Sequence, residues 1–135
     1  MRVEKTDTVP VRSSEDIVRV RQTVRKWAVE AGFSLVDQTK IVTAASELAR
    51  NTLDYGGGGW VELEVLSGVR RGVRLQFVDQ GPGIADIAEA LRDGYTSGKG
   101  LGLGLGGSKR LSNEFEIWSE PGKGTRVTIV RWKQP

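Results

Sequence analysis

Eighteen glycines stand in this chain of 135 residues, and they are gathered rather than spread. They cluster at Gly56 to Gly59, at Gly81 and Gly83, and above all between Gly94 and Gly107. An even scatter of glycine among serines would make a flexible linker. Glycine concentrated at three places, between segments of clear apolar periodicity, marks backbone that must approach something closely. The chain therefore reads as one framework interrupted by three sites of close approach. Its length suits a single domain over 1–135, burying roughly two thirds of the surface its unfolded chain would expose.

Composition removes much chemistry. There is no cysteine and no histidine, which excludes disulfides, thiolate and imidazole metal sites, and His-dependent nucleophilic triads. Any chemistry must rest on carboxylates, amides, hydroxyls, Lys, Arg and backbone. Lys plus Arg number 20 against 17 Asp plus Glu, a formal charge of +3. The two signs alternate along most of the chain, so no nucleic-acid partner is expected. No apolar run approaches the roughly 20 residues of a membrane span, and Met1 to Asp7 lacks the apolar region of a signal peptide. The expected setting is a reducing cytoplasm, away from membranes.

Residues 2–11 alternate patchily and carry Pro10, which suits an edge strand. Ser13 stands three residues before Asp16, a capping pattern, and Ile17, Val20, Val24, Trp27, Ala28 and Ala31 recur at helical spacing until Gly32. This predicts a helix over about 14–31. A second helix opens at Ser34 as N-cap and carries Ile41, Ala44, Ala45, Leu48 and Thr52 inward until Gly56 to Gly59 end it. Period-two alternation over 60–66 and 73–79 predicts one hairpin, and over 114–120 and 125–132 a second around Pro121 to Gly124. Between the hairpins, 86–92 reads as a short helix, 94–102 as a loop and 103–111 as a glycine-interrupted helix. Hairpins with helices between them imply an α/β (α+β) two-layer sandwich, its sheet mixed and largely antiparallel, covered on one face by helices.

Four local patterns can carry chemistry, and each also has a plainer explanation. Glu47 and Asn51 project from one helix face a turn apart, to one side of the Ile41, Ala45 and Leu48 stripe. They are either a solvated surface or a carboxylate able to take a proton beside an amide oxygen able to hold a hard cation such as Mg²⁺. Asp79, ending an apolar strand before Gln80-Gly81-Pro82-Gly83, is either turn chemistry or a pocket-floor acceptor for the N–H of a planar base. A charged hydrogen bond of that kind is worth roughly 1.5–3 kcal/mol, enough to select adenine over guanine. Gly98 to Gly107 leads into a helix, and such a loop presents backbone N–H groups to anionic oxygens such as phosphate. Gly122-Lys123-Gly124-Thr125 is a turn that could bring a hydroxyl to the same pocket.

Two better-known phosphate motifs fail here. Gly102 to Gly107 satisfies GxGxxG, but Asp93 to Gly98 precedes it where a dinucleotide fold needs an apolar strand. A P-loop needs Ser or Thr after Gly-Lys, whereas Lys99 and Lys123 are each followed by glycine.

In order, Glu-x-x-x-Asn on a helix, Asp-x-Gly-x-Gly after a strand, a Gly/Leu-rich loop into a helix and Gly-Thr in the last hairpin resemble the boxes of the ATPase superfamily of DNA gyrase, heat-shock chaperones, histidine kinases and mismatch-repair proteins. The resemblance covers almost the whole chain. Val36-Asp37-Gln38-Thr39, Ser46 to Asn51, Asp79 to Ile84 and Gly100 to Leu105 are similar to the small serine/threonine switch kinases of bacterial stress signalling, relatives of anti-sigma-factor kinases and, among them, stressosome kinases.

That resemblance implies a Bergerat-type ATP-binding fold using ATP and Mg²⁺. It implies Glu47 as general base, Asn51 as metal ligand and Asp79 as acceptor for the adenine amino group. Gly81 and Gly83 would make room for the ring, Thr125 would support the same edge, and Gly98, Gly100, Leu101, Gly102, Leu103 and Gly104 would form the lid, with Lys99 its cation. Implied partners are STAS-domain scaffold and antagonist proteins and a downstream phosphatase. With no histidine to phosphorylate, the acceptor must lie on another protein. A nucleotide-responsive binding module or an anti-sigma factor, neither transferring phosphate, stays open beside the kinase.

Overall fold

The computed structural model describes residues 1–92 and 104–135. In chain order the elements are β1 (Arg2–Val11), α1 (Ser14–Glu30), α2 (Leu35–Asp54), β2 (Gly59–Ser67), β3 (Gly72–Asp79), α3 (Ile87–Ala90), α4 (Gly104–Arg110), β4 (Glu114–Glu120) and β5 (Gly124–Trp132). The strands form one sheet in the order β1-β2-β3-β5-β4, and every pairing is antiparallel. The expected sheet thus has no parallel pair among the described strands. The short helix after β3 is one turn, Ile87–Ala90, with Asp86 as its cap.

Both long helices begin where local chemistry places them. The Ser13 hydroxyl accepts the Asp16 N–H at 3.3 Å, and the Ser34 hydroxyl accepts the Asp37 N–H at 3.2 Å, each satisfying a donor that the helix cannot. Helix α1 buries Ile17, Val20, Val24, Trp27 and Ala28, and α2 buries Ile41, Ala44, Ala45, Leu48 and Ala49. These side chains close over Val61, Leu63, Val73, Leu75, Phe77, Val127 and Ile129 from the alternate positions of β2, β3 and β5. Burying each larger aliphatic side chain contributes roughly 1.5–3 kcal/mol relative to leaving it exposed, so this interface fixes how α2 lies across the sheet.

A buried ion pair pins the start of α2. Arg131 on β5 donates from Nη2 to Asp37 Oδ1 at 2.7 Å and from Nη1 to the Leu111 carbonyl at 2.7 Å, joining the sheet, α2 and the end of α4. Both side chains are only 8% exposed. Arg131 Nε has no partner among the described residues, so the clamp rests on its two Nη contacts. The hydrogen bond from Arg131 holds the Asp37 carboxyl below its ordinary 3.8 against the opposing effect of burial, with the Arg131 charge and the Ser34 hydroxyl assisting.

Asp37→Ala should cost about 3–5 kcal/mol in urea denaturation, because it strands a buried guanidinium. Replacing both partners, as Asp37→Leu with Arg131→Met, should recover most of that loss. The pH dependence has a defined sign. Ionised Asp37 contributes fully above its ordinary 3.8, and the contribution is lost as pH falls below that value through the lowered folded pKa. Acid should therefore reduce the urea midpoint less steeply for Asp37→Ala than for the parent chain.

Candidate functional site

The sequence expects its chemical residues beside one pocket, and the described ones line a cleft of about 500 Å³, within the size range of small-molecule sites. One wall is α2, which supplies Glu47, Arg50, Asn51 and Asp54, with Tyr55 as its C-cap. Leu48, immobilised in the core at 1% exposure, sets the rotation of the helix and so the direction of its polar neighbours. The floor comes from Phe77 and Asp79 on β3 with Thr125 and Val127 on β5. Pro82 to Asp86, Ala90, and Gly104 with Leu105 at the start of α4 complete the rim.

Asp79 is half-buried among these groups. Its Oδ1 accepts the Gly81 N–H at 2.9 Å, which aims the carboxylate. Burial raises its pKa above the ordinary 3.8, while the backbone N–H groups of Gly81 and Thr125 pull in the opposite direction. A carboxylate desolvated in a cleft, with one oxygen already engaged, is poised to accept one further donor from a ligand.

The glycines beside Asp79 answer first to protein backbone. A Cβ on Gly81 would come within 2.6 Å of the Gly56 carbonyl oxygen, and one on Gly56 would collide with the Asp79 side chain. Gly81 packs against Gly56 behind Asp79 and is not among the residues lining the cleft. Gly83 does line the cleft, but its φ of +77° and the Glu120 carbonyl against it are what demand glycine.

Glu47, Asn51, Asp79, Gly83, Gly104 and Thr125 are thus brought together on one cavity. Gly98, Lys99, Gly100, Leu101, Gly102 and Leu103 lie outside the described residues. The sequence reading passed over Ser119. Its hydroxyl accepts the Ile84 N–H at 2.8 Å, lies 2.8 Å from Gly124 O and 2.8 Å from Thr125 Oγ1, and so joins the loop after β3 to the final hairpin. In the observed register Ser119 pairs directly with Thr125, a pairing that the sequence reading of the hairpin did not specify. Arg50 and Asp54 were also missed, although three and seven residues after Glu47 put them on the same helix face.

A strand-end carboxylate and, on a helix, an acid and an amide one turn apart line one cleft with an apolar floor. Residues 36–135 match the family of histidine kinase-, DNA gyrase B- and HSP90-like ATPases, and the chain belongs to it. It is 44% identical over 125 residues to the serine/threonine-protein kinase RsbT of Bacillus subtilis, covering 92% of this chain and 94% of that protein. An anti-sigma F factor of Clostridium acetobutylicum is 29% identical over 124 residues, covering 87% of this chain and 86% of the factor. Among solved structures, the RsbU and RsbW domains of a Mycobacterium tuberculosis protein superpose with a TM-score of 0.67 at 22% identity, over 97% of this chain and 33% of that one. The SiaB-SiaC complex of Pseudomonas aeruginosa gives 0.57 at 16% identity, over 97% and 91%, so the fold is shared at low sequence similarity. No described helix is long and apolar enough to cross a membrane.

Ser119→Ala should cost about 1–3 kcal/mol in chemical denaturation, because the Ile84 N–H loses its acceptor. Gly83→Ala should be at least as damaging, since it adds left-handed backbone strain of roughly 1–2 kcal/mol to the collision with Glu120. A melting temperature unchanged by both substitutions would show that the rim is not held this way.

Proposed function

We propose that the chain is a single-domain, ATP-dependent serine/threonine kinase of the cytoplasm. It phosphorylates STAS-domain scaffold and antagonist proteins in a bacterial stress-response partner-switching pathway and, once released, activates a downstream phosphatase. The observation that carries this reading is Glu47 and Asn51 on one helix wall, opposite Asp79 across a single cleft. The 44% identity to a named serine/threonine kinase supports it.

Each residue has a role its chemistry allows. Asp79 accepts the adenine amino group, and Thr125 supports that edge of the ring. The Leu48, Phe77 and Val127 surfaces exclude water beneath it. The Asn51 amide oxygen would hold Mg²⁺. No cluster of three or more acidic groups able to cage a metal occurs among the described residues, which fits an ion held by one protein oxygen, phosphates and water. The ion supplies charge neutralisation along the phosphates. Glu47 takes the proton of the attacking Ser or Thr hydroxyl as its oxygen bonds to the γ-phosphorus and the bond to ADP breaks. The resemblance implies that Gly98, Gly100, Gly102 and Gly104 would serve as the lid over the phosphates. Alignment and electrostatics are most of what this reaction asks of a protein.

Similarity to anti-sigma F factors supports a second reading, in which nucleotide controls capture and release of a partner without transfer. Labelled γ-phosphate from Mg-ATP, offered with a purified STAS-domain protein from the same bacterium, separates the two. The expected result is label on a substrate Ser or Thr that disappears with Glu47→Ala while ATP binding persists. Capture of the partner with no label moved would sink the kinase reading.

The pH dependence of binding offers a further check. Because burial raises the Asp79 pKa, its acceptor form is lost on acidification at a higher pH than for an ordinary aspartate near 3.8. ATP affinity should fall as pH drops toward that raised value, and Asp79→Asn should bind weakly with a flatter pH profile.

A further inference from the structure

Five carboxylates line the cleft, on Glu47, Asp54, Asp79, Asp86 and Glu89, and among the described lining residues Arg50 is the only base. A polyphosphate laid along that wall would meet mostly like charge. Several of the acids are already engaged. Asp86 Oδ1 accepts the Glu89 N–H at 3.0 Å, Glu89 pairs with Arg92 at 2.7 Å, and Asp79 Oδ1 holds Gly81. Arg50 is not engaged. Glu47 stands three residues before it and Asp54 four after, spacings at which helical ion pairs form, yet the exposed guanidinium pairs with neither and hydrogen-bonds to no described residue.

Its place on the helix is informative. At about 100° per residue, Asn51 lies some 40° from Glu47 on the side of the core stripe, and Arg50 about 60° from Glu47 on the other side, toward solvent. Glu47 therefore sits between the amide and the guanidinium. A group reaching Glu47 from the solvent side would come beside Arg50.

We propose that Arg50 binds the terminal phosphoryl group of the nucleotide and neutralises the charge on its non-bridging oxygens during transfer, an inference that rests on the kinase reading above. The guanidinium fork suits two oxygens of one phosphoryl group and stays protonated throughout. In the step itself the acceptor oxygen bonds to the γ-phosphorus as its proton passes to Glu47. The bond to the β-phosphate oxygen breaks, with the electron pair leaving on ADP. Arg50 exchanges no proton and changes no bond.

The test compares Arg50→Gln and Arg50→Lys with the parent chain. Both replacements are good helix formers at an exposed position, so the fold is kept. Calorimetric affinities for Mg-ATP and Mg-ADP come first. With Arg50→Gln, ATP binding should weaken about tenfold, as for one lost charged hydrogen bond, while ADP binding stays unchanged. Turnover of label onto the STAS-domain protein at saturating ATP should fall roughly 100-fold or more, and Arg50→Lys should restore part of it. Equal weakening of ATP and ADP, no change in either, or a rise only in the KM for the acceptor protein would overturn the proposal and, in the last case, make Arg50 a docking residue. Failure of the parent chain to bind either nucleotide, or to transfer label, would overturn the kinase reading itself and is visible before any variant is made.

Discussion

The Asp37 to Arg131 pair is the constraint on which the geometry of the site depends. It fastens the first turn of α2 to β5 at one end of the sheet, while Arg131 also holds the carbonyl that follows α4. One wall of the cleft is α2, and another part is the start of α4. A buried pair is not in itself a strong source of stability, because desolvation offsets much of its attraction. What it supplies here is position: a helix packed only by aliphatic side chains could slide along its ridges, whereas one guanidinium bonded to two elements cannot follow such a slide.

From that anchor the polar residues of α2 follow by helical arithmetic. Ile41, Ala45 and Leu48 face the sheet, so Glu47 and Asn51 must emerge beside the stripe, with Arg50 beyond Glu47 on the side away from it. Those strands are antiparallel neighbours whose register pairs Asp79 with Thr125. Chemistry that is 78 residues apart in sequence, from Glu47 to Thr125, is thereby gathered on one cavity by two periodicities and a single strand pairing.

The glycines serve this arrangement in two ways. Those flanking Asp79 let backbone segments press together so tightly that side chains would collide, and this close packing aims the carboxylate. A glycine-rich stretch can thus be rigid scaffolding at one place and cleft-lining backbone at another, as at Gly104 on the rim. Composition alone does not separate the two uses.

The sequence by itself determined the element order, both serine caps, the inward stripes of the long helices, and the spacing that puts Glu47 and Asn51 on one helix face and Asp79 at a strand end. All of these are local: caps, period 3.6 and period 2 are fixed by neighbours within a few positions, and the boxes are short words. Only the tertiary structure decided that β5 inserts between β3 and β4, that Arg131 reaches Asp37 across 94 residues, that Gly81 backs Asp79 against Gly56, and that Ser119 bolts the rim to the last hairpin. Those contacts join positions far apart in the chain, and nothing in the local pattern of either partner names the other. Arg50 lies between the two cases: its helix face was readable from its spacing to Glu47, but its isolation among carboxylates appears only once the strands and rim have closed around α2.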